Sequence, residues 1–161
     1  MKTLVLVRHA KSSWEHDLPD RDRPLKKRGV NDSNLVSKAF TKDEFRPQKI
    51  ISSPANRAFS TCRIFMQNLS YSEVLLEKND NLYDFGGFSV LNVLKSLDND
   101  LDAVMIFGHN HAFTSLSNSL GDRYIDNLPT SGLVKIELAI DKWSDLKKGK
   151  TVHTIFPRDL K

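Results

Sequence analysis

Cysteine is nearly absent from these 161 residues. Cys62 stands alone, so no internal disulfide can form and four-cysteine zinc sites are excluded. A chain of this kind takes a reducing cytosol as its default compartment. Long apolar runs are missing too. No stretch of about 18 apolar residues occurs, so nothing is expected to span a bilayer. The apolar start Leu4-Val5-Leu6-Val7 meets Arg8-His9 too soon to form a signal-peptide core. Internal repeats, low-complexity segments and Gly/Ser-rich linkers are lacking, so residues 1–161 read as one domain of ordinary size. What is present is a globular balance of 39% hydrophobic and 27% charged residues, which argues against a disordered chain. The net charge is only +4. Its densest clusters, Lys26-Lys27-Arg28 and Lys147-Lys148-Gly149-Lys150, carry no interleaved aromatics, so neither a nucleic-acid nor a membrane partner is expected. A surplus of this size equally fits a solvated surface with an anion-binding pocket.

Hydrophobic periodicity predicts strands alternating with helices. Residues 3–7 read as a buried strand, 11–24 as a long loop with Pro19 and Pro24, and 25–40 as a helix whose stripe is Val30, Leu35, Val36 and Phe40. A short strand at 49–51 leads to Ser52-Ser53-Pro54, read as the cap of a helix over 55–69 with Ala58, Cys62, Phe65 and Leu69 on one face. Strand 74–76, loop 82–87 and helix 88–97 follow. Residues 103–107 are almost continuously apolar, as a strand buried on both faces should be. After Gly108-His109-Asn110 come a helix over 112–120, stopped by Gly121, and strands at 134–140 and 151–156, the last at an edge. The expected class is α/β: a single three-layer α/β/α domain with a mostly parallel central sheet.

Ligands of such sheets bind beyond the carboxyl ends of the strands. Arg8-His9, Arg57 and His109 all fall there, delivered by three separate segments. Any one of them alone is more simply a solvated arginine or a hydrogen-bonded histidine. Unrelated surface residues, however, have no reason to fall at successive strand ends. Arginine offers a planar fork for phosphate, and histidine can act as nucleophile, proton carrier or donor. The combination reads as a phosphoryl pocket.

Leu4-Val5-Leu6-Val7-Arg8-His9-Ala10, Ser52-Ser53-Pro54-Ala55-Asn56-Arg57-Ala58 and Phe107-Gly108-His109-Asn110 resemble, in order, the three signatures of the histidine phosphatase (phosphoglycerate-mutase-like) superfamily. Within it, Arg8-His9-Ala10-Lys11-Ser12-Ser13-Trp14 and Asp22-Arg23-Pro24-Leu25 through Arg28-Gly29 resemble the SixA-type phosphohistidine phosphatases, with Ala10 where larger members carry glycine. The resemblance implies a phosphoglycerate-mutase-like fold and attack on phosphorus by a neutral His9, giving a phosphohistidine intermediate. Arg8, Arg57 and His109 would hold the phosphoryl oxygens, and no metal or other cofactor would be required. It also implies a carboxylate acid beyond the third strand. Asp84 is the candidate, with helix capping as its alternative, ahead of Asp80, Asp20 and Glu15. Ser12 is a candidate phosphate donor, and Lys11 and Trp14 candidate rim residues.

Rival chemistries fail on spacing. A cysteine phosphatase needs arginine six positions after its nucleophile, and Asn68 stands there after Cys62. Neither a G-x-x-x-x-G-K-[ST] loop nor a G-x-S-x-G elbow occurs. The expected activity is phosphatase action on phosphohistidine in a protein partner, because short connections leave little chain for a lid over the site. A small phosphomonoester substrate and a non-catalytic phosphoprotein-binding module are the alternatives.

Overall fold

A computed structural model describes every residue, Met1–Lys161. Six strands form one sheet in the order β3-β2-β4-β1-β5-β6. Strands β1 (Lys2–Arg8), β2 (Lys49–Ser52), β3 (Leu76–Lys78) and β4 (Ala103–Gly108) are parallel. β5 (Leu133–Leu138) runs antiparallel to β1, and β6 (Lys150–Ile155) antiparallel to β5 at the edge.

Successive side chains of a strand point to opposite faces. Leu4 and Leu6 of β1, with Val104 and Ile106 of β4, therefore enter one core, under helices α3 (Phe88–Lys95) and α4 (Ala112–Leu120). Val5, Val7, Met105 and Phe107 enter the other, under α1 (Lys27–Phe40) and α2 (Asn56–Leu69). The result is the three-layer α/β/α arrangement. Its central strands are apolar on both faces because helices cover both.

Three local readings are corrected. In α1 Val30 and Leu35 are exposed, and the buried face is Gly29, Asp32, Ser33, Val36, Ser37 and Phe40. Small polar groups are tolerated there because they are paired: Ser33 Oγ lies 3.2 Å from Ser131 Oγ, and Ser37 Oγ donates to the Ser33 carbonyl. Residues Glu73–Leu75 form a 3-10 turn, not a strand, because Ser72 Oγ accepts the Val74 N–H; pairing with β2 begins only at Leu76. Ser52-Ser53-Pro54 does not cap α2, whose N-cap position is Ala55.

The parallel register aligns the ends of β1, β4 and β2. Arg8 pairs with Gly108 and Ser52 with Phe107. The ladder then continues past the strands, with His9 N–H donating to Gly108 O and Ser53 N–H to Phe107 O, both at 3.0 Å. Glycine is required at 108, because a Cβ would sit 2.6 Å from the Phe113 ring. Three chain segments thus converge on one point of the sheet edge.

Candidate active site

His9, the first residue after β1, places its ring 5.3 Å, centroid to centroid, from that of His109, which follows β4. His9 Nδ1 lies 2.8 Å from the Ala10 carbonyl oxygen. A carbonyl only accepts, so Nδ1 carries the proton and Nε2 keeps its lone pair. Burial lowers the His9 pKa to about 4, and the charges of Arg8, Arg57 and Arg23 add to that against the Ala10 hydrogen bond. The ring is neutral at pH 7, as a nucleophile must be. His109 is driven lower still, to about 3, first by burial and then by His9 and Arg57.

Arg8 Nη1 donates to Leu128 O at 2.8 Å, while its Nε is buried without a partner, as is Nδ1 of the fully buried His109. An unsatisfied buried polar atom costs about 1–3 kcal/mol. The two rings of His9 and His109 stand side by side, and the guanidinium of Arg8 adds its charge to both.

Arg57, in the first turn of α2, donates from Nη1 to the Asp20 carbonyl at 2.6 Å and from Nη2 to the Asp20 carboxylate at 2.9 Å. The same carboxylate accepts from Tyr83 OH at 2.6 Å and from Arg23 Nη1 at 3.1 Å. Burial opposes ionisation of Asp20, but the bonds from Tyr83, Arg57 and Arg23 win and hold its pKa at about 2. Asp20 is thus an anionic hub that orients two guanidinium groups. Each Arg57 terminal nitrogen retains a second N–H.

Arg23 also donates to Ser13 O and to Ser12 Oγ, and it stacks under the exposed Trp14 ring. Arg8, His9, Lys11, Ser12, Trp14, Arg23, Arg57 and Thr130 line a cavity of about 210 Å³. Ser12, Lys11 and Trp14 therefore border it. Glu15 lines a neighbouring groove, and Asp80 pairs with Arg21 on the surface. No group of three or more His, Cys, Asp or Glu side chains stands where it could hold a metal ion.

Asp84, the candidate general acid, stands before α3, where its alternative as a helix cap is met. Its carboxylate accepts four backbone N–H groups, those of Gly86, Gly87, Ser89 and Val90, at 3.0–3.2 Å. The N-cap of α3 is Gly87, with φ of 106° and no side chain to offer, so Asp84 caps the helix in its place. Cys62 is buried in the core, and burial pushes its thiol up to about 12, which leaves it a packing residue. Sequence reasoning missed Arg23, Tyr83 and Thr130. Arg23 sat inside a quoted motif, but nothing in spacing showed that the 11–24 loop folds back on the site.

Fold and site together bring two histidines and two arginines to one edge of a mostly parallel sheet. Residues 4–89 match the model of the histidine phosphatase superfamily, branch 1. The chain belongs to that superfamily, whose membership supports a phosphatase or a mutase. The structure of the protein histidine phosphatase SixA complexed with tungstate superposes with a TM-score of 0.82, at 21% identity over 99% of each chain. An uncharacterised chloroplastic protein of Arabidopsis thaliana is 26% identical over 153 residues, 89% of this chain and 70% of that one. A 2,3-bisphosphoglycerate-dependent phosphoglycerate mutase of Methylobacterium radiotolerans is 32% identical over 96 residues, 56% of this chain and 45% of its own. No helix is long and apolar enough to cross a membrane.

Proposed function

We propose that this protein is a phosphatase that works through a phosphohistidine intermediate on His9 and removes phosphate from phosphohistidine on a protein partner. The observation that carries the chemistry is the neutral His9, its Nε2 lone pair free, beside the unpartnered Nε of Arg8 and Nδ1 of His109. Nε2 attacks phosphorus in line as the P–N bond of the substrate breaks, and the leaving imidazole, already protonated on its other ring nitrogen, departs neutral. Arg8, Arg57 and His109 hold the three equatorial oxygens as the loose transition state spreads charge over them, with Ser12 and Arg23 at the rim. Water then attacks the phosphohistidine, releasing phosphate and restoring His9. The guanidinium groups supply the cationic charge, so the reading assigns the reaction no resident metal.

Two features support phosphohistidine as substrate. The cavity, at about 210 Å³, is smaller than the roughly 300–1,000 Å³ of ordinary ligand pockets. It has room for a phosphoryl group but less than an ordinary whole-ligand pocket offers, which favours a substrate whose bulk stays outside, as a protein surface would. The carboxylates around the site also have other work: Asp84 caps a helix, and Asp20 pairs with Arg57 and is held at about 2. Imidazole, with a pKa of about 6.5, leaves near neutral pH with little help, whereas an alkoxide does not.

A small phosphomonoester is the second reading, favoured by the stretch that is 32% identical to the mutase. A panel of phosphohistidine protein, phosphoramidate, aryl phosphate and alkyl phosphate tests both. Preference for the first two supports the proposal, and preference for alkyl phosphate transfers it to the second reading. Binding of phosphoprotein with no turnover of any substrate would make the chain a binding module and overturn both.

A further inference from the structure

We propose that Ser53 sets the tautomer of His109, keeping the ring proton on Nδ1 so that the buried imidazole presents an N–H donor to a phosphoryl oxygen. The identity of the acceptor rests on the phosphatase reading above; the tautomer does not. Ser53 follows β2 and is held against β4 by its N–H bond to Phe107 O. Its Oγ accepts the Ala55 N–H at 3.2 Å and lies 2.8 Å from His109 Nε2. Both residues are fully buried.

A hydroxyl has one proton and must place it on an acceptor. With the Ala55 N–H already pointing at Oγ, the group that can take the Ser53 proton is His109 Nε2. A neutral imidazole that accepts at Nε2 carries its own proton on Nδ1. The opposite arrangement, Nε2–H donating to Oγ, would strand two buried groups at once. The Ser53 proton would have no acceptor, and Nδ1, which has no partner in the protein, would be a bare lone pair. The proposed arrangement strands only Nδ1–H, and that is the group a phosphoryl oxygen would satisfy. The choice is a real one because burial and nearby cations keep the ring neutral, with a single proton to place.

Ser53 is therefore a positioning residue. It touches no substrate and acts through His109, much as an acceptor behind a ligating histidine fixes which nitrogen is free. A Ser53 that served only the backbone turn would leave the tautomer indifferent to its loss.

The test is a long-range ¹H–¹⁵N spectrum of the imidazole groups in full-length ¹⁵N-histidine-labelled protein at pH 7, with His109 assigned by its disappearance in His109→Gln. The expected pattern for His109 is a protonated Nδ1 and an unprotonated Nε2. Ser53→Ala should convert it to the Nε2–H form or to a mixture. The same variant should lower kcat/KM for phosphoramidate by about 10- to 100-fold, the scale for losing a partner that orients such a histidine. An Nε2–H pattern in the parent overturns the inference, and it decides the matter even if Ser53→Ala fails to fold. An unchanged tautomer in folded Ser53→Ala overturns it as well. A parent with the Nδ1–H pattern but no turnover of any phosphorylated substrate would refute the proposed function and leave the tautomer assignment standing.

Discussion

Replacing His9 with alanine deletes the proposed nucleophile but leaves Arg8, Arg23 and Arg57 around the cavity. Turnover should vanish while tungstate still binds, and in the parent alkaline quench after brief exposure to substrate should leave phosphate on His9. Comparable rates for parent and variant, or label on a serine, would remove His9 from the mechanism. His109→Ala differs in kind. It removes one donor to the transition state, worth about 3–4 kcal/mol, so a residue of activity near one part in 10²–10³ should persist. Arg57→Lys is not conservative here. The guanidinium spans the carbonyl and the carboxylate of Asp20 with two nitrogens, which an ammonium cannot do while also facing the cavity. Both kcat and oxyanion affinity should fall, and parental kinetics would place Arg57 outside the reaction.

At the scale of elements, helix starts carry the interest. Asp84 closes the N-terminus of α3, so Asp84→Ala should cost about 0.5–2 kcal/mol and lower Tm by a few degrees, with alkyl and phosphohistidine turnover reduced alike. A selective loss on alkyl phosphate at unchanged Tm would restore Asp84 as the acid. The start of α1 is bound to the segment that follows His9. Lys26 N–H donates to Lys11 O, Ser13 N–H to Pro24 O, and Ser12 bridges to Leu25. Gly29 makes this approach possible, since a Cβ there would overlap the Lys11 carbonyl oxygen and lie 2.9 Å from its nitrogen. Gly29→Ala should destabilise by about 1–3 kcal/mol, the scale of overpacking, and impair turnover by displacing Ser12. A denaturation midpoint at the parental value would show that the loop moves aside freely.

For the whole molecule the site sets a pH dependence. Folding holds His9 at about 4 and His109 at about 3, against 6.5 when unfolded. Between pH 6.5 and these values the unfolded chain binds more protons, so the free energy of unfolding rises with pH across that window. Asp20, at about 2 against 3.8, adds the same sign lower down. Stability should be greatest above about pH 6.5 and fall as the solution is acidified, beginning before ordinary carboxylates titrate. His9→Gln and His109→Gln should flatten the upper part of that slope. A parent whose Tm is level from pH 7 to pH 5 would contradict the neutral, buried histidines.

Much of this molecule was legible in one dimension. Strand alternation, the apolar run of β4 and the helix pattern are local, repeating signals, and they define an α/β/α sandwich before any contact is known. The placement of Arg8, His9, Arg57 and His109 at strand ends follows from the same signals, because a parallel sheet gathers its carboxyl ends on one edge. Four things needed the folded chain. The polar face of α1 is buried because Ser131, distant in sequence, offers it a partner. Asp84 caps α3 because the chain turns so that four N–H groups converge on it. Arg23, Asp20 and Tyr83 join the site because the 11–24 loop folds over it, and the Ser53 hydroxyl reaches His109 because β2 lies beside β4. Such hydrogen bonds have no periodicity. They are fixed by distances between segments far apart in the chain, so only the tertiary structure decides which groups are paired and which are left to meet a substrate.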